Sequence, residues 1–136
     1  MKILVDTHFL IWLATADDGL SRDETELLED ENNEIYFSPI SIWEIAIKYR
    51  LNKLNIGNYT PKALDHYLKG QDFKEVQFDS TLSSSSYELA FKENHKDPFD
   101  RMLIWQAIQN DLVLLSRDEK FRQYIEDGLL LKQMKK

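Results

Sequence analysis

The stretch Lys2–Trp12 constrains the fold most. An unbroken apolar run, Ile3–Val5, is followed at once by Asp6 and then by apolar residues at helical spacing. A run without polar alternation is typical of a strand buried on both faces, as in the centre of a parallel sheet. A carboxylate directly after such a strand lies at the edge where open α/β sheets bind their ligands. Asp6 and Thr7 are also good helix N-caps, so this stretch alone leaves a structural role open.

The rest of the chain alternates predicted helices with short apolar strands. Capping signals mark the helix starts at Ser21, Ser38-Pro39, Thr60-Pro61, Asp79 or Ser80, Asp97-Pro98 and Ser116. We expect further strands at Ile35–Phe37, Lys74–Phe78, Leu112–Leu115 and Leu129–Leu131. This alternation predicts an α/β fold in which a central parallel sheet is covered by helices on both faces, a three-layer α/β/α arrangement. The pattern contains no linker, so we expect a single domain over residues 1–136.

The charge balance limits how the protein can bind nucleic acid. The chain has 24 acidic and 17 basic residues, for a formal net charge of −7. Because overall attraction to nucleic acid favours a basic protein, any such contact must be local, and the acids serve cation binding or a basic partner protein. The absence of cysteine excludes a thiolate metal site. No apolar run is long enough to cross a membrane, and the first strand leaves no room for a signal peptide, so we expect a cytoplasmic protein.

Three further carboxylates stand where a solvated acid is unexpected. Glu44 and Asp100 share helix faces with apolar residues three, four or seven positions away, and Asp118 follows a buried strand as Asp6 does. A lone carboxylate buried on an apolar face costs several kcal/mol unless something compensates it. Structural alternatives exist: a Glu44–Lys48 pair at i,i+4, worth about 0.3–0.5 kcal/mol, and helix-start positions for the aspartates.

Together these acids predict a metal site. In a parallel sheet the carboxyl ends of the strands share one edge, so Asp6, Glu44, Asp100 and Asp118 are expected to converge there. Two carboxylates about 4 Å apart repel by roughly 4 kcal/mol at an effective dielectric of 20, so such a cluster needs a cation. Oxygen ligands without thiolates favour Mg²⁺ or Mn²⁺, which polarise phosphoryl oxygens and activate water.

Four blocks of sequence carry a more specific signal. They are Asp6-Thr7-His8 with Trp12, Ser38–Glu44, His95–Arg101, and Ser116-Arg117-Asp118 with Phe121. Their order and spacing resemble the VapC-type toxins of the PIN-domain family along nearly the whole chain. The resemblance implies a parallel sheet flanked by helices and a ribonuclease dependent on Mg²⁺ or Mn²⁺. It also implies a cognate antitoxin protein that inserts a segment near the site, and a toxin homodimer.

The resemblance also assigns roles to residues. The acidic quartet of the family falls on Asp6, Glu44, Asp100 and Asp118, which are expected to hold one or two metal ions and to direct water at an RNA phosphodiester. Accessory roles are expected for Asp97, Thr7, Ser41 and Ser116. Local phosphate contacts are expected from Arg101, Arg117, Lys120 and Arg122, although each of these is also an ordinary surface charge. Attack by external water predicts 5′-phosphate and 3′-hydroxyl ends.

Three other functions compete with this interpretation. A signalling receiver domain also collects acids at strand ends, but it needs an acidic pair after the first main strand and a lysine after the last one. Here Asp6 stands alone and Ser116-Arg117-Asp118 follows the last clear strand. A non-catalytic module that binds a metal or a partner stays open, as does a metal-dependent phosphodiesterase that acts on DNA.

Overall fold

The computed structural model describes residues 1–15 and 19–134. The strands are β1 (Lys2–Val5), β2 (Glu34–Phe37), β3 (Lys74–Glu75), β4 (Val113–Leu115) and β5 (Leu130–Lys132). The α-helices are α1 (Thr7–Thr15), α2 (Arg22–Glu29), α3 (Pro39–Arg50), α4 (Pro61–Gly70), α5 (Ser80–Ser85) and α6 (Pro98–Gln109). Two 3₁₀ helices span Ser86–Glu88 and Glu119–Asp127.

The five strands form one parallel sheet in the order β3-β2-β1-β4-β5. Strand β1 is central, and Ile3, Leu4 and Val5 are all 0% exposed. Ile3 and Val5 pack with α1 to α4 on one face, whereas Leu4 packs with α5, α6 and the second 3₁₀ helix on the other. The prediction of a parallel sheet between two helical layers is therefore confirmed.

The strand order places a crevice beside β1. The chain adds β2 and β3 on one side of β1 and then returns to add β4 and β5 on the other. Connections leave β1 and β4 in opposite directions, and in open α/β sheets ligands bind in the crevice at such a reversal, outside the carboxyl ends of the strands. Asp6 and the segment after Leu115 lie at this point, where the Asp6 N–H donates to the Leu115 carbonyl at 3.0 Å.

Most helix starts carry the predicted caps. Ser21 forms a capping box with Glu24, and Ser38, Thr60, Asp79 and Asp97 each accept a backbone N–H of the following turn. These local hydrogen bonds fix where each helix begins, because they satisfy N–H groups that have no partner within the helix.

One predicted cap is wrong, and one predicted helix is short. Ser116 is not an N-cap: Asp118 caps the second 3₁₀ helix, while the Ser116 hydroxyl bonds to Asp6. The helix predicted to begin at Asp79 or Ser80 starts there, but it is short and ends as an α-helix at Ser85. Three successive serine hydroxyls there bond to carbonyls three residues back, which tightens the chain into the 3₁₀ turn.

Candidate metal centre

A cavity of about 400 Å³ opens at the crevice. Its walls come from the residues after β1, from α3, from the start of α6 and from the residues after β4. It is lined by five carboxylates and two basic side chains, among others: Asp6, Glu44, Asp97, Asp100, Asp118, Lys48 and Arg117. The structure thus brings the four acids predicted as a quartet around one space.

Asp6 is fixed by its surroundings. Its Oδ1 accepts the N–H of Thr7 at 2.7 Å, and its Oδ2 accepts the hydroxyl of Ser116 at 2.8 Å. The residue is 7% exposed, and burial raises the pKa of Asp6 although the Ser116 hydrogen bond opposes the shift. Since Ser116 lies 110 positions away, this bond also ties the ends of β1 and β4 together.

Glu44 is held from two sides. Its Oε1 lies 3.0 Å from the Thr7 hydroxyl, and its Oε2 accepts the ammonium of Lys48 at 2.6 Å. Thr7 Oγ1 also lies 2.9 Å from Ser41 Oγ. Because a carboxylate only accepts, the Thr7 proton points to Glu44 and the Ser41 hydroxyl donates to Thr7. The pair with Lys48 proposed as a structural alternative is present, and Glu44 is nevertheless buried against the cavity.

Asp100 carries a large electrostatic penalty in the cavity. It lies in the first turn of α6, after the exposed N-cap Asp97. Burial raises the pKa of Asp100 from 3.8 to about 8, and the neighbouring carboxylates, with Asp97 first among them, add to the shift. A raised carboxylate pKa beside other carboxylates is expected of a cation site in its metal-free form, because no positive charge offsets their repulsion.

Asp118, which follows β4 in the chain, is the fourth acid of the predicted quartet at the cavity. Single ligand atoms of His95, Asp100 and Asp118 lie within 4.8 Å of one another. Carboxylate oxygens without thiolates suit a hard divalent cation such as Mg²⁺ or Mn²⁺. The donor set and the raised pKa values therefore fit a divalent metal.

Comparison with known proteins decides the family. A model of the PIN domain matches residues 3–126 of the chain. The chain belongs to the PIN-domain family. No curated protein sequence matches this PIN domain.

Solved structures share the fold of this PIN domain at low sequence identity. Similar chains occur in VapBC2 of Rickettsia felis bound to a promoter DNA fragment (20% identity, TM-score 0.70) and in VapBC-1 of nontypeable Haemophilus influenzae (17%, 0.66), with 98% of each chain covered in both cases. DNA-bound VapBC of Salmonella typhimurium gives 17% identity and a TM-score of 0.60 over 98% of each chain. At these identities the likeness establishes the fold.

Two of the three arginines predicted to contact phosphate have several partners within the PIN domain. Arg117 bonds to Glu24 and to the Gly19 carbonyl and stacks 4.4 Å from the Trp12 ring centroid. Arg101 donates to the carbonyls of Leu89 and Ala90 and to a tyrosine hydroxyl. A role of either in RNA binding stays a prediction. Of the other two predicted contacts, Lys120 is exposed beside Asp118, and Arg122 pairs with Glu119 at 2.9 Å.

Sequence reasoning missed three residues of this site. His95 is 4% exposed and contacts Asp100, and only its position two residues before the Asp97-Pro98 helix start signalled it. Lys48 lines the cavity, and the i,i+4 spacing that revealed it suggested only a structural pair. Glu24, 0% exposed, anchors Arg117 across 93 positions, and no local pattern predicts that contact.

Proposed function

We propose that this PIN domain is a divalent-metal-dependent endoribonuclease and the toxin of a VapBC-type toxin–antitoxin pair. The observation that carries the proposal is the convergence of Asp6, Glu44, Asp100 and Asp118, from four separate segments, on one cavity at the carboxyl edge of the sheet. Several fixed acids that face one another are costly in a metal-free protein, so they are best explained by the cation that relieves their repulsion.

These four acids would hold one or two Mg²⁺ ions, with Mn²⁺ as a substitute. The chemistry that the cation supplies is polarisation of a phosphoryl oxygen and activation of water for in-line attack on a phosphodiester. The protein's own hydrogen bonds hold the ligands in place: Thr7 and Ser116 fix Asp6, and the Ser41–Thr7 chain fixes Glu44. We propose these three residues as positioning residues of the site.

Basic groups near the acids give the substrate a place to bind. Lys48 carries its positive charge into the cavity, and the hydrogen bond that it donates to Glu44 raises the pKa of Lys48, which keeps it charged. Lys120 is exposed beside Asp118, and of the four predicted contacts it is the one that we propose for an RNA phosphate. An acidic cavity with local lysines accounts for nucleic-acid binding by a chain whose net charge is −7.

The partner proposal rests on the structural neighbours. VapBC complexes contain chains of this fold, so we propose a cognate antitoxin protein for this PIN domain as well. The homodimer implied by the resemblance stays a prediction that size-exclusion chromatography with light scattering checks. Among the residues that the structure describes, no helix is both long and apolar enough to cross a bilayer. A cytoplasmic location and a single domain over residues 1–136 remain our proposals.

The test is cleavage of total cellular RNA by purified protein, in Mg²⁺ and in EDTA, beside the variants Asp100→Asn and Asp72→Asn. Asp72 is exposed in the turn after α4 and serves as the matched control. We expect discrete fragments with 5′-phosphate and 3′-hydroxyl ends from the parent and from Asp72→Asn, and none with EDTA or Asp100→Asn. A DNA strand of matched sequence distinguishes a ribonuclease from a deoxyribonuclease.

Each contrary outcome has a distinct meaning. Cyclic 2′,3′-phosphate ends refute attack by external water, since the ribose hydroxyl must then be the nucleophile. Equal cleavage by Asp100→Asn refutes the assigned site. Thermal stabilisation by Mg²⁺ without any cleavage replaces the nuclease with a catalytically silent binding module.

A further inference from the structure

A buried histidine lies directly behind one acid of the proposed metal site. His95 Nε2 is 3.2 Å from Asp100 Oδ2, and His95 Nδ1 is 2.8 Å from the hydroxyl of Tyr124. His95 is 4% exposed and Tyr124 is 0% exposed, so water has little access to the ring and to the hydroxyl. The ring therefore connects Asp100 to a tyrosine on the second 3₁₀ helix, Glu119–Asp127.

The direction of these hydrogen bonds follows from counting protons. Arg101 Nη1 lies 3.0 Å from the Tyr124 oxygen, and a guanidinium can only donate. The Tyr124 oxygen therefore accepts from Arg101, and its own proton can point at His95 Nδ1. The neutral ring then carries its own proton on Nε2 and donates it to Asp100.

The opposite tautomer is costly. With the proton on Nδ1, both His95 and Arg101 would donate to the Tyr124 oxygen, and the Tyr124 proton would need another acceptor in a buried place. The Nε2 lone pair would also face the lone pairs of Asp100 Oδ2 when Asp100 is ionised, which is the form that binds a cation. A buried polar group without a partner is costly, so the network selects the Nε2–H form.

We propose that His95 is a positioning residue that holds Asp100 in the geometry that a divalent cation requires. This inference rests on the proposed function, because it concerns a ligand of the same site. The relay runs from Arg101 through Tyr124 and His95 to Asp100. Arg101 is itself anchored by the Leu89 and Ala90 carbonyls at 3.1 and 3.0 Å, so the relay starts from fixed backbone.

The relay restrains the side chain of Asp100 against repulsion within the cavity. The carboxylates around Asp100 repel it, and a side chain in the first turn of a helix can rotate towards solvent to escape. A hydrogen bond from His95 opposes that rotation, because turning Asp100 outwards would leave the buried Nε2–H without an acceptor. Partners behind a metal ligand typically change metal affinity about 10- to 100-fold when they are removed.

The direction of the hydrogen bonds in the relay can be measured without assaying RNA cleavage. Long-range ¹H–¹⁵N NMR of the full chain in EDTA, at a pH well above 8 so that Asp100 is ionised, reports which ring nitrogen of His95 carries the proton. We expect the Nε2–H form in the parent and a mixture of the two tautomers in Tyr124→Phe, which keeps the ring but loses the hydroxyl. An Nδ1–H form in the parent overturns the proposal.

Mn²⁺ affinity, measured by paramagnetic resonance of the free ion in the absence of RNA, gives the second readout. We expect binding about 10- to 100-fold weaker in His95→Ala, weaker by several-fold in Tyr124→Phe, and near the parent in His95→Gln, whose side-chain amide can still donate to Asp100. The control is Tyr87→Phe, a tyrosine that is 84% exposed and is expected to change nothing.

The outcomes separate the relay from the function. Unchanged Mn²⁺ affinity in both His95→Ala and Tyr124→Phe overturns the relay, as does a large shift of the Nε2 resonance that shows direct ligation of the cation by His95. Failure of the parent to bind Mn²⁺ overturns the proposed function and the relay's role with it, even if the tautomer is the expected one. Tyr124→Phe carries the test if His95→Ala does not fold.

Discussion

Replacing Asp100 with Asn is expected to stabilise the metal-free protein by an amount that grows with pH. In the folded parent the pKa of Asp100 is about 8, against 3.8 when it is free. Between these values the folded chain keeps a proton that the unfolded chain has lost, so the free energy of unfolding of the parent falls as the pH rises. Asn cannot titrate, so the free energy of unfolding of the variant does not fall with pH for this reason. The stability of the variant relative to the parent therefore increases between pH 4 and 8.

The size of the gain follows from the shift. One bound proton changes the free energy of unfolding by about 1.36 kcal/mol per pH unit, or about 2.7 kcal/mol from pH 5 to pH 7. The Asp100 side chain is 23% exposed, so solvent screens part of the penalty. We expect a gain on the order of 2 kcal/mol across these two units.

The assay is urea unfolding in EDTA at pH 5, 6 and 7, followed by circular dichroism, for the parent, Asp100→Asn and the exposed control Asp72→Asn. The difference between Asp72→Asn and the parent is expected to stay constant across this range. A constant difference for Asp100→Asn as well would refute the reasoning, because Asp100 would then titrate as an ordinary exposed acid.

Added Mg²⁺ provides the complementary measurement. A ligand at 100 times its dissociation constant stabilises the folded state by about 2.7 kcal/mol, so we expect Mg²⁺ to raise the stability of the parent well above that of Asp100→Asn. Equal stabilisation of the two proteins would show that Asp100 is not a ligand of the cation.

Three further variants test other parts of the structure by urea unfolding and RNA binding. Arg117→Ala should destabilise the protein by about 3–5 kcal/mol, because it leaves Glu24 buried without its partner; a loss below 1 kcal/mol would contradict this. Lys120→Ala should change stability by less than about 0.5 kcal/mol yet weaken RNA binding, and unchanged binding would remove Lys120 from the interface. Gly128→Ala should cost about 1 kcal/mol because the φ angle of Gly128 is 102°, whereas Gly70→Ala, with open space around it, should cost nothing.

The local part of the site was predictable from sequence. Asp6 was identified because an apolar strand and a carboxylate are adjacent in the chain, and the parallel sheet confirms why such a residue reaches the carboxyl edge. Glu44 and Asp100 stood out because their helical neighbours are apolar. In each case the signal spans a few residues, which is the range over which side-chain periodicity carries information.

The roles of Ser116 and Arg117 were not predictable in the same way. Ser116 has the spacing of a capping box with Glu119, but its hydroxyl bonds to Asp6 because β1 and β4 are neighbours in the sheet. From sequence, Arg117 resembles a surface charge next to Asp118, but its guanidinium donates hydrogen bonds to Glu24 on α2. A local pattern offers several partners for a polar group, and the packing of distant segments selects one.

The sequence by itself determined the order of strands and helices, most of the caps and the identity of the acids, because these depend on contacts within one or two turns. The tertiary structure decided how the acids are held: Thr7 and Ser41 at Glu44, and the relay through His95 and Tyr124 behind Asp100. These bonds join residues brought together only when the strands align, and a buried donor must then pair with whichever acceptor the fold places within 3 Å or so.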